Sequence, residues 1–567
     1  MRSFNRAALA LSLVFLPAVA WSATYTVGPS GRQYTQLSTV FSSNNLAPGD
    51  IVEVDGNATY NGNIVVNTDD AGTAANPIII RWRRAAGQTR PVLQGGTHTI
   101  KFQQSNHVVF EGFEITGGSS TCLFSEANDV TVRDVLIRDC PGHGILAADQ
   151  LSGSFTLEYS EIRNAGSSSN RHPIYMQSDE VAFPGSVFRM RYNYIHSGRG
   201  GNLVKVRHER SEIHYNWLEG SAYQAIELIG PDCWTQQNGW STGLKREDAD
   251  VVGNVIIQSG SWANAIRIGG DLNGRSQGRV RLVNNTILFT RSGTANAVMV
   301  QLGAGSLEMH NNVIHQTTSG APVVVKENNS AGTPEPCEPQ SSAAWTAGRK
   351  VAGSNNWVKS GSDAPSEWTG TRSGSDPGLA NIAQLQLRPT SGSALVGNGA
   401  NPPATPSAFP FPSPLAIPQY DPPLRAKMAI GAQKPRVLSG GRISIGALEV
   451  SEGSTPPAGP ILVNGSQPMV PSRGSGSAGA VSQGAAIPSL PVAPAGSTTP
   501  SPVVGPVSSP GTFASADLPV VADRPGANKV RKYANPRLQT RYVRWNPRPV
   551  ALCDSDESVD GGDSICK

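Results

Sequence analysis

Charge is scarce in this sequence: Asp, Glu, Lys and Arg make up 16% of its 567 residues, against about a quarter in an average globular chain. Neither sign dominates. The net charge of +4 at pH 7 is too small over this length to indicate nucleic acid or a membrane surface as partner. Cysteine is also sparse, and six residues cannot replace a hydrophobic core in a chain of this size. No CxxC or His/Cys set has metal-ligand spacing, so a structural zinc is not expected. Beyond the N-terminal segment no apolar run is long enough to span a bilayer. What is plentiful is Gly (61), Pro (43), β-branched aliphatics and Asn. This composition argues against a helical protein and for an all-β one, and the length exceeds one compact domain.

Residues 1–20, "MRSFNRAALALSLVFLPAVA", place Arg2 and Arg6 before an apolar stretch and a small-residue Ala18-Val19-Ala20 site, the layout of a cleaved secretory signal. A secreted or periplasmic chain without a transmembrane segment is therefore expected, acting as a monomer. Disulfides are permitted there. Cys553 with Cys566 is the first choice by proximity, and Cys122 with Cys140 and Cys233 with Cys337 are further pairs that sequence leaves open. Residues 451–523 are Pro, Ser, Gly and Ala with few large apolar groups and read as a low-complexity linker. Residues 524–567 form a tail that is basic up to Arg548, with Tyr533, Tyr542 and Trp545 interleaved, and then acidic from Asp554. It reads either as an adhesive for an acidic polymer or the cell envelope, or as a solvated self-neutralising segment.

Between Asn106 and Lys326 a pattern recurs: alternating apolar residues, an Asn, any residue, then an aliphatic. "FRMRYNYI" carries Asn193, "SEIHYNWL" Asn216, "DVVGNVI" Asn254, "VRLVNNTI" Asn285 and "LEMHNNVI" Asn312, with weaker copies at Asp134 and Ser160. The spacing varies from 23 to 38 residues, which suits a solenoid whose turns can lengthen without disturbing its stacked strands. A second apolar triplet follows each copy, such as "IYM" at 174–176, "VKV" at 204–206, "IEL" at 226–228 and "IRI" at 266–268. Two strands per coil are thus expected, with Asn at the bend, where it tolerates left-handed backbone and can bond to the Asn of the next coil. A β-sandwich is the alternative, and the dearth of two-residue hairpin signals counts against it.

With these features residues 24–450 resemble the pectate-lyase-like superfamily of secreted right-handed parallel β-helices. The opening "YTVGPSGRQYTQLSTVFSSNNLAPGDIVEVDG" resembles the family's start, with a short helix over 35–42 capping the first coil and "GDIVEV" as first strand. "DPGLANIAQLQLRPTSGSALVGNG" and "ISIGALE" are similar to its closing coils. "HPIYM" and "NYIHSGRGGNLVKVRHERSEIHYN" most resemble secreted bacterial β-helix proteins. The resemblance implies a fold and leaves the chemistry open.

Strand alternation turns the triplets into a map of candidate residues. Flanking aliphatics point inward, and the middle residues Tyr175, Lys205, Glu227, Arg267, Met299 and Val324 form an outward column at about 4.8 Å per coil. Gln177, Arg207 and Ile229 form a second column. This explains why a chain poor in charge gathers Lys205, Arg207, His208, Glu209 and Arg210 within six residues: part of the group faces outward from one sheet.

The family resemblance implies a polysaccharide lyase, in which a base removes the C5 proton of a uronic acid, cations neutralise its carboxylate and an acid protonates the leaving oxygen. Alginate- and chondroitin-type lyases are similar in drawing a Lys and an Arg from neighbouring coils near carboxylates that hold Ca2+. On this chain that implies Lys205 as base, its charge weakened by Arg207 and Arg267, and Tyr175 or His172 as acid. Glu227 would orient Lys205 or, with Asp232, bind Ca2+. Arg207, Glu227, Trp234 and Trp240 are candidates for holding the sugar. The paired carboxylates of a hydrolase are missing. Two other readings stay open: a charge ladder on a solvated sheet, and a non-catalytic protein that displays a carbohydrate-binding face.

Overall fold

The structure, a computed structural model, describes residues 22–230, 247–270, 277–328, 344–345, 348–451 and 453. Trp234, Trp240, Asp232, Cys233, Cys337, Cys553, Cys566, the signal segment and the basic tail all lie outside the described residues. Among the described residues, strands stack into three long parallel sheets. The first has 12 strands, from Thr24–Val27 to Val351–Ser354; the second has 12, from Thr59–Asn61 to Arg372–Gly374; the third has 10, from Ile64–Val66 to Val323–Glu327. Each coil visits them in turn. Val187–Arg191, Tyr194–His196 and Val204–Arg207 form one coil, and Arg210–His214 begins the next. This is a right-handed parallel β-helix, the hand that twisted parallel strands favour in their connections. No helix among the described residues is long and apolar enough to cross a membrane.

The coil has three strands where the sequence pattern predicts two. The Asn motif contains a bend, so "FRMRYNYIH" is two strands of different sheets, Val187–Arg191 and Tyr194–His196. The opening also differs: Thr24–Val27 precedes and pairs with Ile51–Asp55, so "GDIVEV" is the second strand of its sheet. Between them lies a helix, Leu37–Ser43, that buries Leu37, Val40 and Phe41.

Alternation places one aliphatic column of each sheet inside. On the first sheet Leu157, Met190, Ile213, Val251, Leu282 and Met309 are in register coil on coil and fully buried. The column stops at Gly353, where a Cβ would overlap the Trp368 indole.

The Asn ladder runs through Asn193, Asn216, Asn254, Asn285, Asn312 and Asn356, all buried. Each Nδ2 donates to the next Oδ1 at 3.0 Å. The left-handed residue is the one before each ladder Asn: Tyr192 (φ 59°), Tyr215 (φ 56°), Gly253 (φ 67°), Asn284 (φ 53°) and Asn311 (φ 56°). Asp134 belongs to that preceding position, with φ 52°. It is not a ladder member but an anchor for Arg84 and Arg90, at 2.6 and 2.7 Å, and for Lys427. Tyr159, Tyr192 and Tyr215 stack at 5.0 and 5.2 Å, which compensates for the left-handed strain.

Outside the solenoid the three faces differ. The first sheet carries a ladder of alternating charge, Glu53, Arg81, Glu111, Arg133, Glu158 and Arg191 in register. The second sheet is charged outside in its earlier coils, with Arg138 on Glu114 and Arg163 on Glu161, and apolar outside in its later ones. Trp217, Val255, Leu288 and Trp357 pack against Leu379, Leu387, Leu395, Ile445 and Leu448. The segment expected to close the coils therefore lies along the side of the solenoid, as an antiparallel pair, Leu379–Asn381 with Gln386–Pro389, and the chain after it. Of the three candidate cysteine pairs, Cys122–Cys140 is a disulfide.

Candidate functional site

The third sheet carries the outward column expected from the triplets. Tyr175, Lys205, Glu227, Arg267 and Met299 are paired in that order on successive strands. The next member is Lys326 and not Val324. "VVV" sits one residue out of the expected phase, so Val324 is fully buried among the core aliphatics. In the second column Gln177 and Arg207 pair as expected, but all three members, Gln177, Arg207 and Ile229, are buried.

Glu227 is the centre of the cluster. Its Oε1 accepts from Arg267 Nη1 at 2.8 Å, and its Oε2 accepts from Asn202 Nδ2 at 2.8 Å and pairs with Lys205 Nζ at 3.4 Å. Arg267 continues to Gln301 Oε1. Both Glu227 and Arg267 are buried. A buried carboxylate needs such partners, so Glu227 and Arg267 brace the face and do not stand free for substrate. Arg267, expected in catalysis, and Glu227, expected to hold the sugar, are thus each engaged by neighbours within the face.

The half-buried Lys205 and Tyr175 remain at the surface of the cluster. Lys205 Nζ lies 5.3 Å from the Tyr175 ring centroid, a cation–π arrangement. The Tyr175 hydroxyl oxygen accepts from Arg207 Nε at 3.0 Å, and Arg207 Nη1 donates to Gly230 O at 2.6 Å. The carboxylate 3.4 Å from Lys205 stabilises its positive charge, the opposite of what a lysine base requires.

His172 joins the cluster too. Its Nδ1 accepts from the Asn202 backbone N–H at 2.9 Å, and its ring meets Tyr175 edge-on at 5.2 Å. Burial, with Lys205 and His143 adding to it, holds His172 well below the usual histidine range, so it is neutral. The sequence pattern misses two contributors. His143 lies one coil earlier, where "HGILA" is too glycine-rich to match the triplets, and Asn202 stands in the turn that begins the Lys205 strand.

These residues do not fit calcium. Both Glu227 oxygens are committed to nitrogen donors, and Lys205 and Arg267 bring positive charge to the position a dication would take. Asp232, its expected companion, lies outside the described residues. Among the described residues no group of three or more His, Cys, Asp or Glu side chains gathers as a metal site requires.

The three stacked sheets define the class as a three-sheet parallel β-helix, and several solved structures are similar to this chain. Pectate lyase Pel9A aligns at a TM-score of 0.43 and 12% identity, covering 76% of this chain and 98% of that one. An alginate lyase from Paenibacillus sp. str. FPU-7 aligns at 0.36 and 16%, covering 60% and 96%. A rhamnogalacturonan lyase aligns at 0.35 and 14%, covering 59% and 87%. No protein-family model matches the chain, and no curated protein does.

Proposed function

We propose that the third-sheet face around Tyr175 and Lys205 binds an acidic polysaccharide outside the cytoplasm and cleaves it by β-elimination. One observation carries the reading: the half-buried Lys205 and the neutral His172 lie beside Tyr175, with Arg207 bonded to its hydroxyl oxygen, while the one carboxylate among them, Glu227, is already satisfied. Lysine and arginine have no acceptor. A neutral sugar, whose hydroxyls seek donors and acceptors alike, fits such a surface less well than a uronate carboxylate.

In the proposed reaction Lys205 neutralises the uronate carboxylate, with the buried Arg207 adding positive charge behind it, which acidifies the C5 proton. Tyr175 exchanges protons. The Tyr175 phenolate oxygen takes the C5 proton as the C4–O bond breaks and a C4=C5 double bond forms, and the Tyr175 hydroxyl then returns that proton to the leaving O4. Arg207 Nε on the Tyr175 oxygen stabilises negative charge that develops there during transfer.

The test is ultraviolet absorbance of the unsaturated uronate product with alginate, pectate and glycosaminoglycans as substrates. Tyr175→Phe and Lys205→Ala should each lower the rate by about a hundredfold or more with unchanged circular dichroism. Arg267→Ala is a poor test, because removing a buried ion-pair partner costs about 3–5 kcal/mol of stability. Binding of an acidic polysaccharide with no product from any of them would replace the lyase by a carbohydrate-binding face. Absence of both would sink the reading.

A further inference from the structure

His143 and His172 are held by main-chain N–H groups, which can only donate. The N–H of Asn202 donates to His172 Nδ1 at 2.9 Å, and the N–H of His172 donates to His143 Nδ1 at 3.1 Å. Each Nδ1 is therefore an acceptor, and each neutral ring carries its proton on Nε2. Gly201 makes this possible in the "GRGGN" turn: its φ is 56°, and a Cβ would overlap His172 Nδ1. The rings lie 5.8 Å apart, and at 5.2 Å (His172) and 5.9 Å (His143) from the Tyr175 ring. Neither Nε2 is hydrogen-bonded to another described residue, so both N–H groups are left to a ligand.

We infer that His143 and His172 are specificity-determining residues, a pair of neutral Nε2–H donors that bind an oxygen of an acidic sugar beside Tyr175. This rests on the reading of the same face as an acidic-polysaccharide site. The neutral state is built into the contacts, since an imidazolium would need an acceptor at Nδ1, where a main-chain N–H stands. The charged and titratable groups facing the pair are Arg171, Lys205 and Arg207, with Tyr175 between them. Burial and then Arg171 push His143 down to about 4, in the same direction as His172. Affinity for a carboxylate sugar should thus stay level from about pH 8 to pH 5.5 instead of tightening in acid, as it would on imidazolium groups.

The experiment uses the full chain with 15N-labelled histidine, titrated with oligogalacturonate and oligoalginate and followed by long-range imidazole spectra and calorimetry. Both rings should show the Nε2–H tautomer without titrating down to about pH 5.5. A bound oligosaccharide should shift both Nε2 signals. His143→Phe should weaken binding by about tenfold, the loss of one hydrogen bond to a charged group, and His143→Gln, which keeps a donor, should weaken it less. Gly201→Ala should disturb the His172 signals without ligand. An Nδ1–H tautomer, a midpoint above about pH 6, or a His143→Phe variant that binds as tightly as the native chain overturns the pair and leaves the polysaccharide reading standing. No binding by the native chain overturns that reading, and the spectra then decide the pair separately.

Discussion

At Asn254 one buried amide serves three neighbours. Its Oδ1 accepts from Asn216 N at 2.8 Å and from Asn216 Nδ2 at 3.0 Å, and its Nδ2 donates to Ile213 O at 2.7 Å and Asn285 Oδ1 at 3.0 Å. Alanine would strand several of these groups inside the solenoid, and each buried unpaired polar group costs about 1–3 kcal/mol. Asn254→Ala should therefore lower stability by about 3 kcal/mol or more, read as a shift in the denaturant midpoint. Asn254→Asp should be worse at neutral pH, because its carboxylate would face Asn285 Oδ1 with no donor between them. A midpoint unchanged in both variants would mean the ladder is decorative. The ladder is legible in sequence because Asn stands at a constant offset between aliphatics. The residue that turns the chain is not, since tyrosine rarely takes left-handed backbone and only its stacking neighbours, one coil away, reveal why it does so here.

Among the elements, the Pro-rich segment 401–436 is held to the outside of the first sheet and to the corner beside it. Phe411 meets three arginines, with Arg281 at 3.5 Å, Arg210 at 5.0 Å and Arg279 at 5.4 Å from its ring centroid. The same arginines donate to the segment's carbonyls, Arg281 to Ser413 O at 3.0 Å and Arg279 to Pro410 O at 2.5 Å. Farther along, Tyr215 Oη accepts from Gln419 N at 3.1 Å, and Arg425 pairs with Glu219 at 3.1 Å. Cation–π contacts contribute about 0.5–2 kcal/mol each, so Phe411→Ala should loosen this segment ahead of the solenoid. Limited proteolysis should cut within 401–436 several times faster in the variant, with strand content intact by circular dichroism. Equal cleavage rates would show that Phe411 does not hold the segment. Nothing periodic marks this element in sequence, because it pairs residues as far apart as the 293 positions between Asp134 and Lys427. Coil strands, by contrast, announce themselves through alternation, and only the three-residue strands such as Tyr194–His196 are too short to show it.

For the whole molecule the solenoid has a consequence for pH. Its sheets and corner turns bury histidines against packed neighbours, and burial lowers three of them strongly: His143 to about 4, His208 to about 3 and His315 to about 4. In the unfolded chain each would titrate near about 6.5. Below that pH the unfolded state binds protons that the folded state refuses, so stability is full above about pH 6.5 and is lost as pH falls toward about 4. Each such histidine contributes a slope of about 1.4 kcal/mol per pH unit in this window. Asp134 adds a second loss lower down. Burial raises its carboxyl, but hydrogen bonds from Arg90, Lys427 and Arg84 outweigh that and leave it at about 2, so its contribution is present above about pH 4 and disappears toward about pH 2. Guanidinium midpoints should accordingly fall steeply between about pH 6.5 and 4.5. His208→Phe, at a buried position beside Phe188, should flatten that slope by one histidine's share. A profile level down to about pH 4.5 would mean these histidines are protonated in the folded chain. His143 and His172 could not then be the neutral donors that the main-chain N–H groups on their Nδ1 atoms require, so the stability curve and the ligand site rest on the same two contacts.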